Sequence, residues 1–230
     1  THGQAVFRRL LPALIASLVI AVAVPYAYHG QFHAGVVLTV VLSGWLLLAT
    51  LGDLRYRVGL ASNVRAGLRR LPLSYFAMLV AHIGFAVSVA GVGLTSVYSV
   101  EHDVRMAVGQ RETLAGYDFM FMGTEPVQGP NYQAERATIV VSRNGDTVAE
   151  LHPEKRRYTA RAGQMMTEAA IDAGLMRDIY VAMGEPLGAD AWAVRLHYKP
   201  FVRWIWLGGI LMAIGGAMAA ADKRYRAARR

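Results

Sequence analysis

The sequence predicts a membrane protein of four transmembrane α-helices with a β-rich domain inserted between helices 3 and 4. Three observations carry that expectation. Four apolar runs, 10–28, 34–51, 73–97 and 204–221, are each long enough to cross a bilayer. A polar segment, 98–203, separates the third run from the fourth. The charges segregate with the runs: 54% of residues are hydrophobic, 17% are charged, and the formal net charge is +8.

The first run is 19 residues long and leads almost at once into the second, with no small-residue cleavage site between them. It reads as a retained span and not as a cleaved signal peptide. The loop 52–72 holds Arg55, Arg57, Arg65, Arg69 and Arg70; Arg8 and Arg9 lie in the N-terminal tail. The C-terminal tail adds Lys223, Arg224, Arg226, Arg229 and Arg230. Those twelve cations face only Asp53 and Asp222, whereas in 98–203 twelve cations meet fourteen acids. By the positive-inside rule both termini and the 52–72 loop are expected in the cytoplasm, and the large domain outside. The basic balance is thus a topology signal, because it flanks spans and does not gather in one domain; no nucleic-acid partner is expected.

The expected organisation is 1–97 with three spans, 98–203 as the outer domain, and 204–230 as the fourth span with its basic tail. Cysteine is absent, so the outer domain must rest on a packed core, and thiolate metal ligands and thiol nucleophiles are excluded in this chain. Within it, 137–142 (ATIVVS) and 147–151 (TVAEL) flank Arg143-Asn144-Gly145-Asp146, a strong hairpin signal. Further strands are expected at 117–122, 156–159, 178–183 and 192–198, broken at Gly123–Pro126, Gly129–Asn131 and Gly184–Pro186. Short strands without long helices between them indicate a small sandwich or barrel. In the spans, Gly209, Ala213 and Ala217, and Gly84, Ser88 and Gly91, put small residues where helices can approach closely.

His82 is the ionisable residue expected deepest in the membrane, about 14 Å into the third span at ~1.5 Å per residue. An imidazole there needs a metal or haem iron, a proton-relay role, or a polar neighbour on another helix. It shares a helix face with Met78, Phe85, Ala86 and Val89. His29 and His33 flank the short outer loop and read as interfacial side chains, not a metal pair; His102, His152 and His197 read as exposed or strand-facing. Lys199, Arg203, Trp204 and Trp206 form a basic and aromatic girdle at the outer mouth of the fourth span. It serves either as an anchor or, through Arg203 and Lys199, as a holder of an anionic group. No pair of carboxylates is marked out for acid/base work, and no catalytic residue is assigned.

The runs Thr167–Asp172, Arg177–Leu187 and Trp192–Gly209 resemble the C-terminal region of the CcmF-type cytochrome c haem lyase subunit; Gly129-Pro130-Asn131-Tyr132 and Ala81-His82-Ile83-Gly84 fit the same pattern. The resemblance covers nearly the whole chain. It implies an inner-membrane protein with a periplasmic β-rich domain, acting in cytochrome c maturation. Members receive haem from a haem chaperone and help attach it to the CxxCH thiols of apocytochrome c beside thiol-handling subunits. They also hold a transmembrane haem b between two histidines, and the resemblance gives His82 the second of these, with Arg203 and Lys199 as candidate propionate contacts. The family's tryptophan-rich haem-handling segment and other haem histidines fall in a larger N-terminal region that this sequence lacks. The chain is therefore expected to be either the C-terminal piece of a longer protein, which the missing initial Met favours, or a split-gene product. In both cases it needs the N-terminal lyase region. A non-catalytic scaffold that docks maturation partners is the other reading; a quinol-oxidising cytochrome b subunit is disfavoured, because such subunits pair histidines within one bundle.

Overall fold

The computed structural model describes residues 2–29, 33–159, 163–188 and 190–222. The chain forms a helical unit, Thr1–Val97 with Phe201–Arg230, and a β unit, Tyr98–Pro200.

The helical unit contains α1 (His2–His29), α2 (Ala34–Gly59), α3 (Val64–Arg70), α4 (Leu73–Tyr98) and α5 (Val202–Ala221). Three of them, α2, α4 and α5, are long and apolar enough to cross a membrane; in α1 the apolar helical stretch among the described residues is Leu10–Ala23. Helix α2 continues two turns past the expected end of its apolar run. Asp53 and Arg57, one turn apart, pair at 2.7 Å and extend the helix into polar surroundings. The loop expected at 52–72 contains α3, capped by Asn63, whose side chain accepts from Ala66 N at 2.8 Å. Gly67 lets α3 fold onto α2, since a Cβ there would lie 2.7 Å from the Val58 carbonyl oxygen.

Helix α4 meets α5 through backbone contact. A Cβ at Gly84 would stand 2.7 Å from the Gly208 carbonyl oxygen, and one at Gly215 would stand 2.7 Å from that of Ala77. Gly91 lies as close to Ile205, and Ser88 Oγ donates to the Ile205 carbonyl at 2.9 Å. The expected small-residue face on α4 is the one used, but on α5 the contact is displaced by one residue. Gly209 faces open space, and the seam runs through Gly208 and Gly215. Seven residues make nearly two full turns, so Gly208 and Gly215 lie on one line of contact.

At the other end of this pair, Asp222 caps α4. Its buried carboxylate accepts from Ser74 N at 2.8 Å, using a first-turn N–H that has no partner within its own helix. Tyr75 donates to Asp53 Oδ2 at 2.8 Å and lies under the Arg57 guanidinium at 4.9 Å, so α2 is joined to the same turn of α4.

The β unit contains β1 (Val100–Ala107), β2 (Arg111–Leu114), β3 (Tyr117–Gln128), β4 (Tyr132–Arg143), β5 (Asp146–Leu151), β6 (Glu154–Tyr158), β7 (Met165–Glu168), β8 (Ala170–Ala173), β9 (Arg177–Pro186) and β10 (Ala191–Pro200). One sheet has the order β1-β10-β9-β8; the other has β2-β3-β4-β6-β7, with β5 pairing β4. Alternate residues of each sheet point inward, and Met106, Phe119, Phe121, Ile139, Val181 and Leu196 are buried together. Asn144 and Gly145, at φ 55 and 92, turn β4 into β5 as the sequence indicates.

Two expected breaks are not breaks. Strand β3 runs on through Gly123–Pro126 by means of a bulge at Gly123, whose φ of 119 suits glycine. Beyond Phe121, whose backbone still bonds Gly109 and Gln110, it has no described partner on the β2 side, so Pro126, which lacks an N–H, costs no ladder bond. Likewise β9 continues to Pro186 at its very end.

Glu154 is the charged residue of this unit that is most buried. Arg136 Nε and Arg156 Nε each donate to it at 2.7 Å, and Arg156 also covers the Tyr132 ring at 4.4 Å. Burial pushes the Glu154 carboxyl up, but the two arginines outweigh it and hold it below the ordinary glutamate range. Its contribution to stability is present above that ordinary range and is lost as pH falls through the folded-state value.

Two outcomes follow. Gly84→Val should lower the thermal stability of the protein in detergent by about 2 kcal/mol or more, through backbone overlap with α5, while Gly209→Ala should leave it unchanged or slightly raised. Glu154→Gln should cost about 2 kcal/mol near neutral pH and flatten acid denaturation, since the depressed carboxyl is what links folding to pH there. Equal melting of the two glycine variants, or an unaltered acid profile, would contradict these contacts.

Candidate functional site

His82 lies on α4, nine residues before Gly91. At 100° per residue the seam residues Gly84, Ser88 and Gly91 lie on the opposite side of the helix, so α5 does not take up the His82 face. Phe85, Ala86 and Val89 share that face. His82 is half-buried, and it makes no hydrogen bond or ion pair with any described residue.

The same face of α4 borders a cavity of about 360 Å³. Phe85, Ala86 and Val89 form its α4 wall, α2 supplies Trp45 and Leu46, and α1 supplies Leu10. Trp45 Nε1 is buried there without an acceptor. Ala86, the small residue of that wall, is 3% exposed. A flat apolar group could be received against such walls, and an imidazole without a hydrogen-bond partner is a competent ligand for iron. Among the described residues no three His, Cys, Asp or Glu converge as a metal cluster.

The other residues singled out in the sequence are not brought to this place by any described contact. Arg203 is exposed on the first turn of α5; Trp204 beside it packs edge-on against Phe201 at 5.0 Å, and Trp206 is 72% exposed. Lys199 is on β10, in the β unit, with its ammonium 5.8 Å from the centre of the Tyr180 ring. His33 precedes α2 in extended conformation and makes no side-chain cap. The side chain of His29, residues 30–32 and the basic tail 223–230 lie outside what is described.

His102 and His152 are exposed, as expected; His197 faces its strand's neighbours and is buried, 8% exposed. Its ring meets Tyr180 edge-on at 4.8 Å, and Nδ1 lies 3.4 Å from Glu101. Burial pushes the imidazole below the usual histidine range; Glu101 opposes the shift, and Lys199 and Arg195 add to it. Arg195 grips Asp103 with two donors at 2.6 and 2.8 Å, which holds that carboxyl low. Alternation along β10 placed Arg195, His197 and Lys199 on one face. The signal that buries His197 is its register between Glu101 and Tyr180, which the linear sequence does not display.

Apolar helices long enough to span a bilayer, joined to a β-sandwich, define a membrane protein with a β domain. Residues 97–200 match the family described as "CcmF C-terminal beta-sandwich". The chain is 50% identical over 217 residues to cytochrome c-type biogenesis protein CcmF of Pseudomonas aeruginosa, covering 94% of this chain and 33% of that protein. It is 42% identical over 217 residues to CcmF of Escherichia coli K12, covering 94% of this chain and 32% of that one. A solved structure titled "Cytochrome c Heme Lyase CcmF" shares the fold, with a TM-score of 0.70 at 19% identity over 93% of this chain and 34% of the other. The chain matches the C-terminal region of CcmF cytochrome c-type biogenesis proteins, and its β unit is their C-terminal β-sandwich. It spans about a third of the length of the curated relatives it matches.

Proposed function

We propose that the chain is the C-terminal part of a haem lyase subunit in cytochrome c maturation, which assists covalent attachment of haem to the CxxCH motif of apocytochrome c and helps hold a transmembrane haem b. The observation that carries the haem reading is His82, an imidazole on an apolar helix that no described residue hydrogen-bonds, on the α4 face that borders the apolar cavity. Such a ring is costly in hydrocarbon unless something binds it. When bound, the haem supplies an iron that cycles between ferric and ferrous states. His82 would hold that iron through a ring nitrogen, and the apolar walls formed by Phe85, Ala86 and Val89 with α1 and α2 would receive the flat ring. Arg203 and Lys199 would meet the propionates. The N-terminal lyase region would supply the other ligand.

In this reading α1 is the fourth span, residues 1–97 and 204–230 lie in and beside the bacterial inner membrane, and both ends are cytoplasmic. The β domain is periplasmic, where it meets the haem chaperone, apocytochrome c and the thiol-handling subunits. The segregation of twelve cations against two acids supports this orientation. A scaffold that only docks these partners is the second reading, favoured by the β unit's own closed core.

Absorption spectra of the complete purified protein, oxidised and reduced, separate the two. His82→Ala should remove the low-spin b-type signal. Arg203→Gln should lower haem retention several-fold with membrane insertion intact, and Arg203→Lys should recover part of it, since lysine keeps the charge and loses only the fork. An unchanged spectrum in His82→Ala would leave the scaffold.

A further inference from the structure

The β8–β9 turn presents two apolar side chains to solvent: Leu175 is 59% and Met176 54% exposed. The base of this turn is rigidly held. Gly174 N donates to the Arg177 carbonyl at 2.9 Å and to Asp178 Oδ1 at 3.1 Å. Arg177 in turn donates to the Asp172 carbonyl at 3.1 Å, to the Asp172 carboxylate, and to Tyr117 Oη at 3.3 Å. Tyr117 also receives a bond from Arg143 and lies 6.0 Å from the Tyr198 ring. A tip fixed by five polar contacts thus has its two outermost side chains without apolar cover.

Register gives the reason. The chain enters the sandwich at Val100 and leaves it at Pro200, on adjacent strands that pair Val100 with Tyr198. Pro200 in turn pairs with Arg177 across β9. The β8–β9 turn therefore lies at the end of the sandwich that carries both chain connections. With paired strands about 5 Å apart and roughly 3.3 Å per residue, Leu175 is within about 10 Å of Pro200. The segments that continue beyond those two points are α4 and α5, both long and apolar enough to cross a membrane. At the opposite end of β9, by contrast, the exposed Leu187 is about 30 Å away.

We infer that the Leu175–Met176 tip inserts into the headgroup and upper acyl region of the bilayer, as a third membrane contact of the β domain besides its two chain connections. This rests on the proposed reading in which α4 and α5 span the membrane. Two aliphatic side chains on a turn gain by leaving water for an apolar layer. Arg143, exposed at the same end of the sandwich, complements anionic lipid phosphates.

The chain has no cysteine, so single labels are simple to place. In the full-length protein reconstituted in phosphatidylcholine and phosphatidylglycerol vesicles, with cysteines elsewhere replaced, an environment-sensitive fluorophore is attached at Leu175→Cys, Met176→Cys, Leu187→Cys or Ile210→Cys. Ile210, mid-way along α5 and 58% exposed, reports on the span itself. Lipid-borne nitroxides near the headgroup should quench the labels at 175 and 176 several-fold more than the label at 187, and iodide should show the reverse order. If Ile210 is quenched by deep nitroxides while 175 and 176 remain open to iodide, the tip inference falls and the spans stand. If 175 and 176 are shielded from both quenchers, protein covers the tip and the inference also falls. Failure at Ile210 would overturn both readings.

Discussion

The contact between α4 and α5 restricts what every other face of α4 can do. Glycines at 84, 91, 208 and 215 bring the two backbones together, and Asp222 fixes the far end of the pair on the first turn of α4. With that face committed, His82 cannot be satisfied by α5. Its side of the helix borders an apolar cavity walled by α1 and α2, and no described residue hydrogen-bonds its ring. The proposed haem site is thus a consequence of where the glycines are. Substituting them would move α4 as a whole, and the ligand with it.

The β-sandwich rests on different forces. Two sheets enclose a shared apolar core, and one buried carboxylate, Glu154, ties β6 to Arg136 on β4. Its outer face carries an alternating arrangement of Asp103, Arg195, Glu101 and His197, which are paired with one another. In a chain that has no cysteine, this packed core does the work that disulfides do in other small domains. It also supplies rigid turns, and the β8–β9 tip is the one whose side chains are most out of keeping with water.

Much of this was legible in the sequence, because long apolar runs and an Asn-Gly between β-prone segments are local signals. The runs beginning at Ala34, Leu73 and Trp204 became α2, α4 and α5, and Asn144-Gly145 turned as expected. What escaped depends on partners distant in the chain. Gly123 and Pro126 read as a break because a bulge and an unpaired strand edge cannot be seen without the neighbouring strands. Gly209 looked like the contact residue, yet the crossing of two helices selected Gly208. Asp53 and Asp222 counted only as stray acids among cations, and both join helices. Strands β1, β2, β7 and β8 are short or mostly exposed and lack the alternation that marks a buried strand. For His82, position alone left haem, proton relay and polar neighbour open; the resemblance to the CcmF family favoured haem, and the missing hydrogen-bond partner supports it.

The central claim is that His82 is an axial ligand, and near-infrared magnetic circular dichroism of the oxidised complete protein tests it directly, because the charge-transfer band reports the identity of both axial ligands. The account predicts a bis-imidazole band in the native protein that is replaced by an imidazole–thioether band in His82→Met. A native band of any other ligand pair, or a bis-imidazole band that persists in His82→Met, would show that the ring serves some other purpose.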